Sequence, residues 1–239
     1  MLFESRTYTF LPGTLNTFWN AQVTRGLDPT SRPIMARVIG YFYTVTGDQD
    51  QITHLWRFDD FDDWRDRLFF KHPDAEPYYK IVRPLMLKQD NSFLLPSPLD
   101  ELNPLWKKGR DWLPGDSNLV DITSCPSLLV EELKFQLFPG CLNSFWQAFT
   151  NNSLLNESLF RERLFACFYT LVGQQHEVVI YRWHENFEKN TNFNNALAES
   201  NSWISFLLEI REFIVKLQTR LLKPAPLPLL SPLFNKKED

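Results

Sequence analysis

The apolar positions near the start of the chain already spell out a succession of short elements. Residues 2–11 are rich in Phe, Thr and Tyr and stop at Pro12-Gly13, the pattern of a strand running into a turn. Leu15, Phe18, Trp19 and Gln22 then fall at i, i+3, i+4 and i+7, which predicts a helix with one buried face. Two further strands are expected over 34–46 and 51–58, on either side of Gly47-Asp48, where glycine suits the positive φ of a hairpin turn. Asp59-Asp60 precede Phe61, Trp64, Leu68 and Phe69, with acidic residues where a helix N-terminus favours them. A helical stretch over 78–89, interrupted at Pro84, and a short strand over 92–95 complete the series.

The same pattern then returns. Leu11-Pro12-Gly13-Thr14-Leu15-Asn16-Thr17-Phe18-Trp19 is answered 127 positions later by Phe138-Pro139-Gly140-Cys141-Leu142-Asn143-Ser144-Phe145-Trp146. Gly47 answers to Gly173 at 126, and Arg57 is matched to Arg182 at 125. The helical stripe of the second copy, Leu142, Phe145, Trp146 and Phe149, is fully apolar, and strands are expected over 164–172 and 177–183. An offset this long marks a duplicated domain rather than a solenoid unit of about 20–50 residues.

Each copy reads β-α-β-β-α-β with an extra helical piece, a ferredoxin-like split βαβ unit. The predicted fold class is α+β: two tandem ferredoxin-like domains forming a dimeric α/β-barrel-type pseudo-dimer within one chain. A ferredoxin-like sheet carries helices on one face only, so two copies packed sheet to sheet would cover what one leaves bare. The reading divides the chain into a first domain over 1–97, a linker over 98–125, a second domain over 126–232 and a tail over 233–239. The prolines after Lys223 and the Lys-Lys-Glu-Asp end read as an extended tail.

Bulk composition narrows the function. With 44% apolar and 23% charged residues the chain is ordinary for a globular protein, and 21 Phe and 8 Trp allow a dense core in each copy. A net charge of −4 provides no electrostatic case for nucleic acid. No apolar run approaches the ~20 residues that span a bilayer, and no targeting segment is visible. Cys125, Cys141 and Cys167 form no CxxC pair, which argues for reduced thiols and against a zinc knot. On these grounds the chain would be cytoplasmic.

Several segments together resemble a known family. They are Glu4-Ser5-Arg6-Thr7-Tyr8-Thr9 before Pro12-Gly13, Gly40-Tyr41-Phe42 before Gly47, His54-Leu55-Trp56-Arg57-Phe58, Val82-Arg83-Pro84 and Leu94-Leu95-Pro96. This pattern is similar to that of NIPSNAP proteins, and the tandem arrangement is similar to that of the animal members. The second copy is more diverged, with Val179 read in the place of His54 and no Val-Arg-Pro equivalent. The resemblance implies a dimeric α/β barrel, association with mitochondria and, for some members, signalling to autophagy adaptors. It implies no cofactor and no catalytic residue set. The expectation is thus a non-enzymatic scaffold or adaptor with a protein partner, an intrachain pseudo-dimer with homo-oligomers possible. The alternative is a small-molecule or haem-binding barrel with cofactor-free oxygenase- or isomerase-like activity.

Strand phase picks out a candidate pocket in the barrel interior, lined by Glu4, Arg6, Arg37, Tyr41, Tyr43, His54 and Trp56. The plain alternative is a cross-strand ion pair of Glu4 with Arg6 or Arg37 at the edge of a filled interface. His54 is the residue for a haem ligand or general base, or else a hydrogen-bonded core histidine. Arg57 and Arg182 are candidates for a bidentate anion site, or for pairing with Asp59–Asp63 and Glu185. No phosphate-binding loop, nucleophile elbow or HExxH is present. Phe42-Tyr43-Thr44-Val45 has the spacing of an aromatic-x-x-aliphatic docking motif but lies in a predicted strand. Trp106 and Trp112 in the linker either anchor a partner or pin the linker down.

Overall fold

The computed structural model describes residues 1–68 and 75–235 of the 239-residue chain. It contains two compact units. Unit 1 comprises Met1–Leu94, Leu113–Ser124 and the chain from Leu222; unit 2 comprises Leu95–Trp112 and Cys125–Leu221.

Unit 1 begins with strand β1 (Leu2–Phe10) and helix α1 (Leu15–Arg25). The turn between them needs Gly13, whose φ of 78° is the left-handed region that glycine enters without steric cost. Gly140, at the same place in the second copy, has φ 84°. Helix α1 buries Phe18, Trp19, Ala21 and Gln22, the face its apolar spacing predicts. Strand β2 (Val38–Thr44) starts later than its sequence suggests, because Pro33 opens a 3₁₀ turn over Pro33–Arg37. Strand β3 (Gln51–Phe58) and helix α2 (Phe61–Leu68) follow as expected; Phe69 lies outside the described residues.

Helix α3 (Ala75–Val82) ends at a 3₁₀ turn over Arg83–Leu85, and strand β4 (Met86–Pro96) begins at once. Residues 86–89 are therefore strand rather than the helix expected of them. Their largely exposed side chains show no alternation. Only pairing with β1, from Phe3↔Leu94 to Phe10↔Met86, makes them a strand.

Unit 2 opens on a small hairpin, β5 (Trp106–Lys107) and β6 (Arg110–Asp111). Trp106 donates its indole N–H to the Trp112 carbonyl at 2.9 Å and packs on Phe168, so both tryptophans are buried within this unit. The repeated elements are β7 (Leu129–Leu137), α4 (Leu142–Asn151), α5 (Ser158–Arg161), β8 (Leu164–Val172), β9 (Glu177–His184), α6 (Phe187–Glu199), α7 (Asn201–Ile210) and β10 (Ile214–Pro224).

Strands β4 and β10 each run out of one unit into the other. The sheet of unit 1 reads β4-β1-β3-β2-β10 and that of unit 2 β10-β7-β9-β8-β4. The chain is thus α+β with a duplicated ferredoxin-like unit. No described helix is long and apolar enough to cross a membrane.

Two expectations change here. The segment after Lys223 is packed rather than a loose tail. The Ser231 hydroxyl donates to the Tyr41 carbonyl at 3.1 Å, and Leu230, Leu233 and Phe234 are fully buried; the Lys-Lys-Glu-Asp end lies outside the described residues. The pairing of Arg57 with Arg182 across the two copies is also off by one residue. Leu2 faces Phe58 and Leu129 faces His184; Arg6 faces His54 and Leu133 faces Ile180. Arg182 therefore answers to Trp56, Trp183 to Arg57, and Ile180, not Val179, to His54. A slip of one residue moves a side chain to the other face of the sheet, so Arg57 and Arg182 are not counterparts.

Candidate functional site

Side chains two residues apart on a strand share a face. In unit 1 that places Arg6 and Tyr8 of β1 beside His54 and Trp56 of β3 and Tyr41 of β2. This face packs against helices α1 and α3 of the same unit, in one core with Phe10, Phe18, Met35, Tyr78 and Val82. The candidate face is therefore the helix-facing one, not a barrel interior. Phase alone shows which residues share a face but not which face the helices cover.

Between this sheet face and the helices lies a cavity of about 300 Å³. The strands contribute Arg6, Tyr8, Tyr41, His54, Trp56 and Asn91; α1 contributes Gln22 and Arg25; α3 contributes Tyr78, Tyr79 and Val82; Arg32 and Arg83 come from the adjoining turns. The volume is at the small end of the range for organic ligand sites, about 300–1,000 Å³.

Four of the seven pocket candidates line this cavity: Arg6, Tyr41, His54 and Trp56. Glu4 sits behind them, fully buried. It accepts hydrogen bonds from Arg6 Nη2 at 2.7 Å, Trp64 Nε1 at 3.0 Å and Asn91 Nδ2 at 3.2 Å. The Glu4–Arg6 ion pair forms along one strand rather than across two. Burial works against the Arg6 charge, but Glu4 outweighs it and the guanidinium is held above its ordinary value.

Arg37 is not part of the cavity. It belongs to the 3₁₀ turn before β2 and pairs with Asp59 at 2.6 Å and Asp63 at 3.1 Å. The bulge between Val38 and Gly40 breaks the alternation that had placed Arg37 on the Tyr41 face. Tyr43 packs at the edge of the same core, half-buried, and does not line the cavity. Arg57 pairs with Asp59, as the structural alternative for it supposed. Arg182 is buried in unit 2 against Phe160 and Phe193, with Glu131 at 3.8 Å, whereas Glu185 pairs with Arg163.

His54 is sealed from solvent, stacked on Tyr41 with ring centroids 4.3 Å apart and edge-on to Tyr8 at 4.6 Å. The Trp56 indole N–H donates to its Nδ1 at 2.8 Å. An indole nitrogen only donates, so Nδ1 is the acceptor and the neutral ring carries its proton on Nε2. Burial, then the charges of Arg6 and Arg32, hold the imidazole well below its ordinary value. Neutral His54 is thus a hydrogen-bond donor, and its Nε2 has no partner among the described residues. A haem iron or a general base needs a free nitrogen lone pair, which this ring does not offer. His54 does not fit the haem reading, and no described cluster of His, Cys, Asp or Glu could hold a metal ion.

Tyr8 is raised by burial against a weaker pull from Arg6, and burial pushes the Tyr41 hydroxyl up to about 12. Both stay protonated at neutral pH and can donate.

Gln22, Arg25, Arg32, Tyr78 and Tyr79 were not among the sequence candidates. One signal pointed to Gln22: it interrupts a stripe that is wholly apolar in the second copy. Gln22 Nε2 donates to the Tyr78 hydroxyl at 2.7 Å, and Arg32 Nη1 reaches Gln22 Oε1 at 3.3 Å and the Gly26 carbonyl at 2.8 Å.

In unit 2 the counterparts of these polar groups are apolar. Arg6 is answered by Leu133, Tyr8 by Phe135, His54 by Ile180, Tyr41 by Cys167, Gln22 by Phe149 and Tyr78 by Phe206. Where unit 1 has the Gln22–Tyr78 hydrogen bond, unit 2 has Phe149 against Phe206 at 4.5 Å, with Phe145 and Phe135 closing in at 5.7 and 6.3 Å.

Comparison with known proteins places the chain. No curated protein gives a significant match. Among solved structures, an uncharacterised NIPSNAP-like domain protein from Burkholderia xenovorans is 25% identical over 42% of this chain and 87% of its own, with a TM-score of 0.39. A candidate monooxygenase from Lactobacillus acidophilus is 9% identical over 93% of each chain, with a TM-score of 0.56. An anthrone oxidase-like protein is 8% identical over 94% of this chain and 91% of its own, with a TM-score of 0.54. At such low identity the last two likenesses show the fold alone. The NIPSNAP family model matches twice, over residues 3–99 and 130–228, one match for each copy of the repeat. With most of its length accounted for in this way, the chain belongs to the NIPSNAP family.

Proposed function

We propose that unit 1 is a binding site for a small organic molecule and that unit 2 is its structural counterpart. One observation carries this reading. Two copies of one fold treat the same space differently: unit 2 packs it with phenylalanines, while unit 1 keeps about 300 Å³ lined by donors. Filling the space is the more stabilising choice for a core, since an empty volume forfeits dispersion contacts. Retaining it at the cost of buried, incompletely paired polar groups is the usual signature of a site.

The donors can stabilise negative charge on a bound molecule, as an isomerase- or oxygenase-like reaction would require. No residue is assigned a catalytic role. The adaptor reading rests on the family resemblance; the linker tryptophans, one anchor weighed for it, are buried. Mitochondrial placement, implied by the family, is carried as part of the proposal; fractionation of cells expressing the tagged chain tests it.

The site itself is tested by ligand-observed NMR against a mixed library of neutral and charged fragments. Wild type is compared with Gln22→Phe/Tyr78→Phe, which copies the filled space of unit 2. Hits that vanish in the filled variant support the reading. An absence of hits, or hits indifferent to the filling, overturns it.

A further inference from the structure

Resting on that reading, the charges around the cavity narrow the ligand to one chemical class. Among the described residues, five arginines line it (Arg6, Arg25, Arg32, Arg67 and Arg83) and no carboxylate does. Two are neutralised from behind: Arg6 by Glu4 at 2.7 Å and Arg67 by Asp63 at 2.5 Å. Among the described residues, no ion pair forms to Arg25, Arg32 or Arg83.

Arg32 is the informative one. It is only 5% exposed and, among the described residues, meets neutral acceptors alone and leaves its Nε without a partner. A buried guanidinium without a counter-ion is costly, because the interior solvates charge poorly. His54, 1% exposed, adds a second orphaned donor, Nε2, on the same cavity wall. Arg25 lies 4.3 Å over the ring of Tyr78, and exposed Arg83 lies 4.7 Å over Tyr79. Positive charge thus runs from solvent to the buried Arg32, an arrangement that draws anions inward.

Aromatic rings line it on both sides: Tyr8, Tyr41 and Trp56 on the sheet, with Tyr78 and Tyr79 on the helix. Flat rings on both sides favour a flat guest. We propose that the cavity binds a planar, aromatic carboxylic acid as its anion, the carboxylate paired with Arg32 and the ring held among the tyrosines. A carboxylate suits the planar fork of a single buried guanidinium, which it can engage with two parallel hydrogen bonds.

The test compares two probes of one shape, 1-naphthoate and its neutral amide 1-naphthamide, by isothermal titration calorimetry on the full chain, with inorganic phosphate as a third titrant. The acid should bind roughly tenfold or more tightly than the amide, the size expected for one charge-assisted contact in a buried site. Phosphate, which has no ring, should bind far more weakly. Arg32→Gln should remove the preference for the acid, bringing its affinity down to that of the amide. Should that variant fail to fold, the acid–amide comparison on wild type still decides. Equal binding of acid and amide, or phosphate binding as tightly as the acid, overturns the anion inference while the cavity reading stands. Binding by neither naphthalene probe, while neutral fragments still occupy the cavity, overturns it as well. Failure of every fragment and probe overturns both readings.

Discussion

The indole N–H of Trp56 donates to Nδ1 of His54 at 2.8 Å, and this bond settles what that histidine can do. With Nδ1 occupied, the neutral ring must carry its proton on Nε2. Nitrogen-15 NMR should therefore show His54 as the Nε2–H tautomer, neutral across about pH 5.5–7.5, where an ordinary histidine titrates near 6.5. A titration midpoint near 6.5 for His54 would contradict the burial and charge environment described for it.

The same histidine makes stability depend on pH in a defined direction. Its folded value lies below 6.5, so as the pH falls through 6.5 the unfolded chain takes up a proton that the folded chain refuses. Stability from this group is complete above that value and declines below it. Urea midpoints at about pH 7.5 and 5.5 should differ more for wild type than for His54→Gln.

Removing the donor should be costly. Trp56→Phe keeps the ring but leaves Nδ1 of His54 buried and unpaired, a loss of about 1–3 kcal/mol in denaturant unfolding. The tautomer preference should weaken with it. A variant as stable as wild type, with the tautomer unchanged, would show that the bond contributes nothing.

Glu4 is expected to be the least replaceable candidate. It accepts from Arg6, Trp64 and Asn91 with no exposure to solvent, so Glu4→Ala strands the Arg6 charge in the core. Breaking such a buried pair costs about 3–5 kcal/mol. Equilibrium unfolding of Glu4→Ala alone, then of Glu4→Ala/Arg6→Leu, should show partial recovery in the double variant, because Leu is what unit 2 carries at this place as Leu133.

In unit 2, Glu132 supplies an acid-range signature. Burial alone would raise its carboxyl, but Arg220, with Nε at 2.5 Å, then Lys134 and the Tyr181 hydroxyl, bring it down to about 2. A lowered carboxyl stabilises the fold above its unfolded value of 4.5, and that stability is lost as the pH falls towards about 2. Glu132→Gln should reduce stability at neutral pH, by an amount on the order of 3 kcal/mol. It should also flatten the acid limb of the stability curve between about pH 4.5 and 2. An unchanged acid limb would mean that the Arg220 pair does not hold in solution.

The sequence carried the fold further than it carried the site. Repeated Pro-Gly turns and aromatic stripes are local signals, and both copies formed the strand, turn and helix that they announce. Strand β4 was half missed, because residues 86–91 owe their conformation to pairing with β1 rather than to any pattern of their own. At the site, Arg6, Tyr41, His54 and Trp56 were legible from strand alternation. Arg37 was misplaced because a bulge at Val38–Gly40 resets that alternation. Arg25, Arg32 and Tyr78 come from a helix, a turn and a second helix, at sequence distances no periodicity connects to the strands.

By itself, then, the sequence determined that one α+β unit is used twice, since duplication and secondary-structure period are properties of neighbouring residues. Only the tertiary structure decided which face of each sheet the helices cover, and that Arg182 answers to Trp56 rather than to Arg57. It alone showed that Gln22–Tyr78 leaves space open where Phe149–Phe206 closes it. Register and burial depend on partners far along the chain, and a single residue of slip exchanges the two faces.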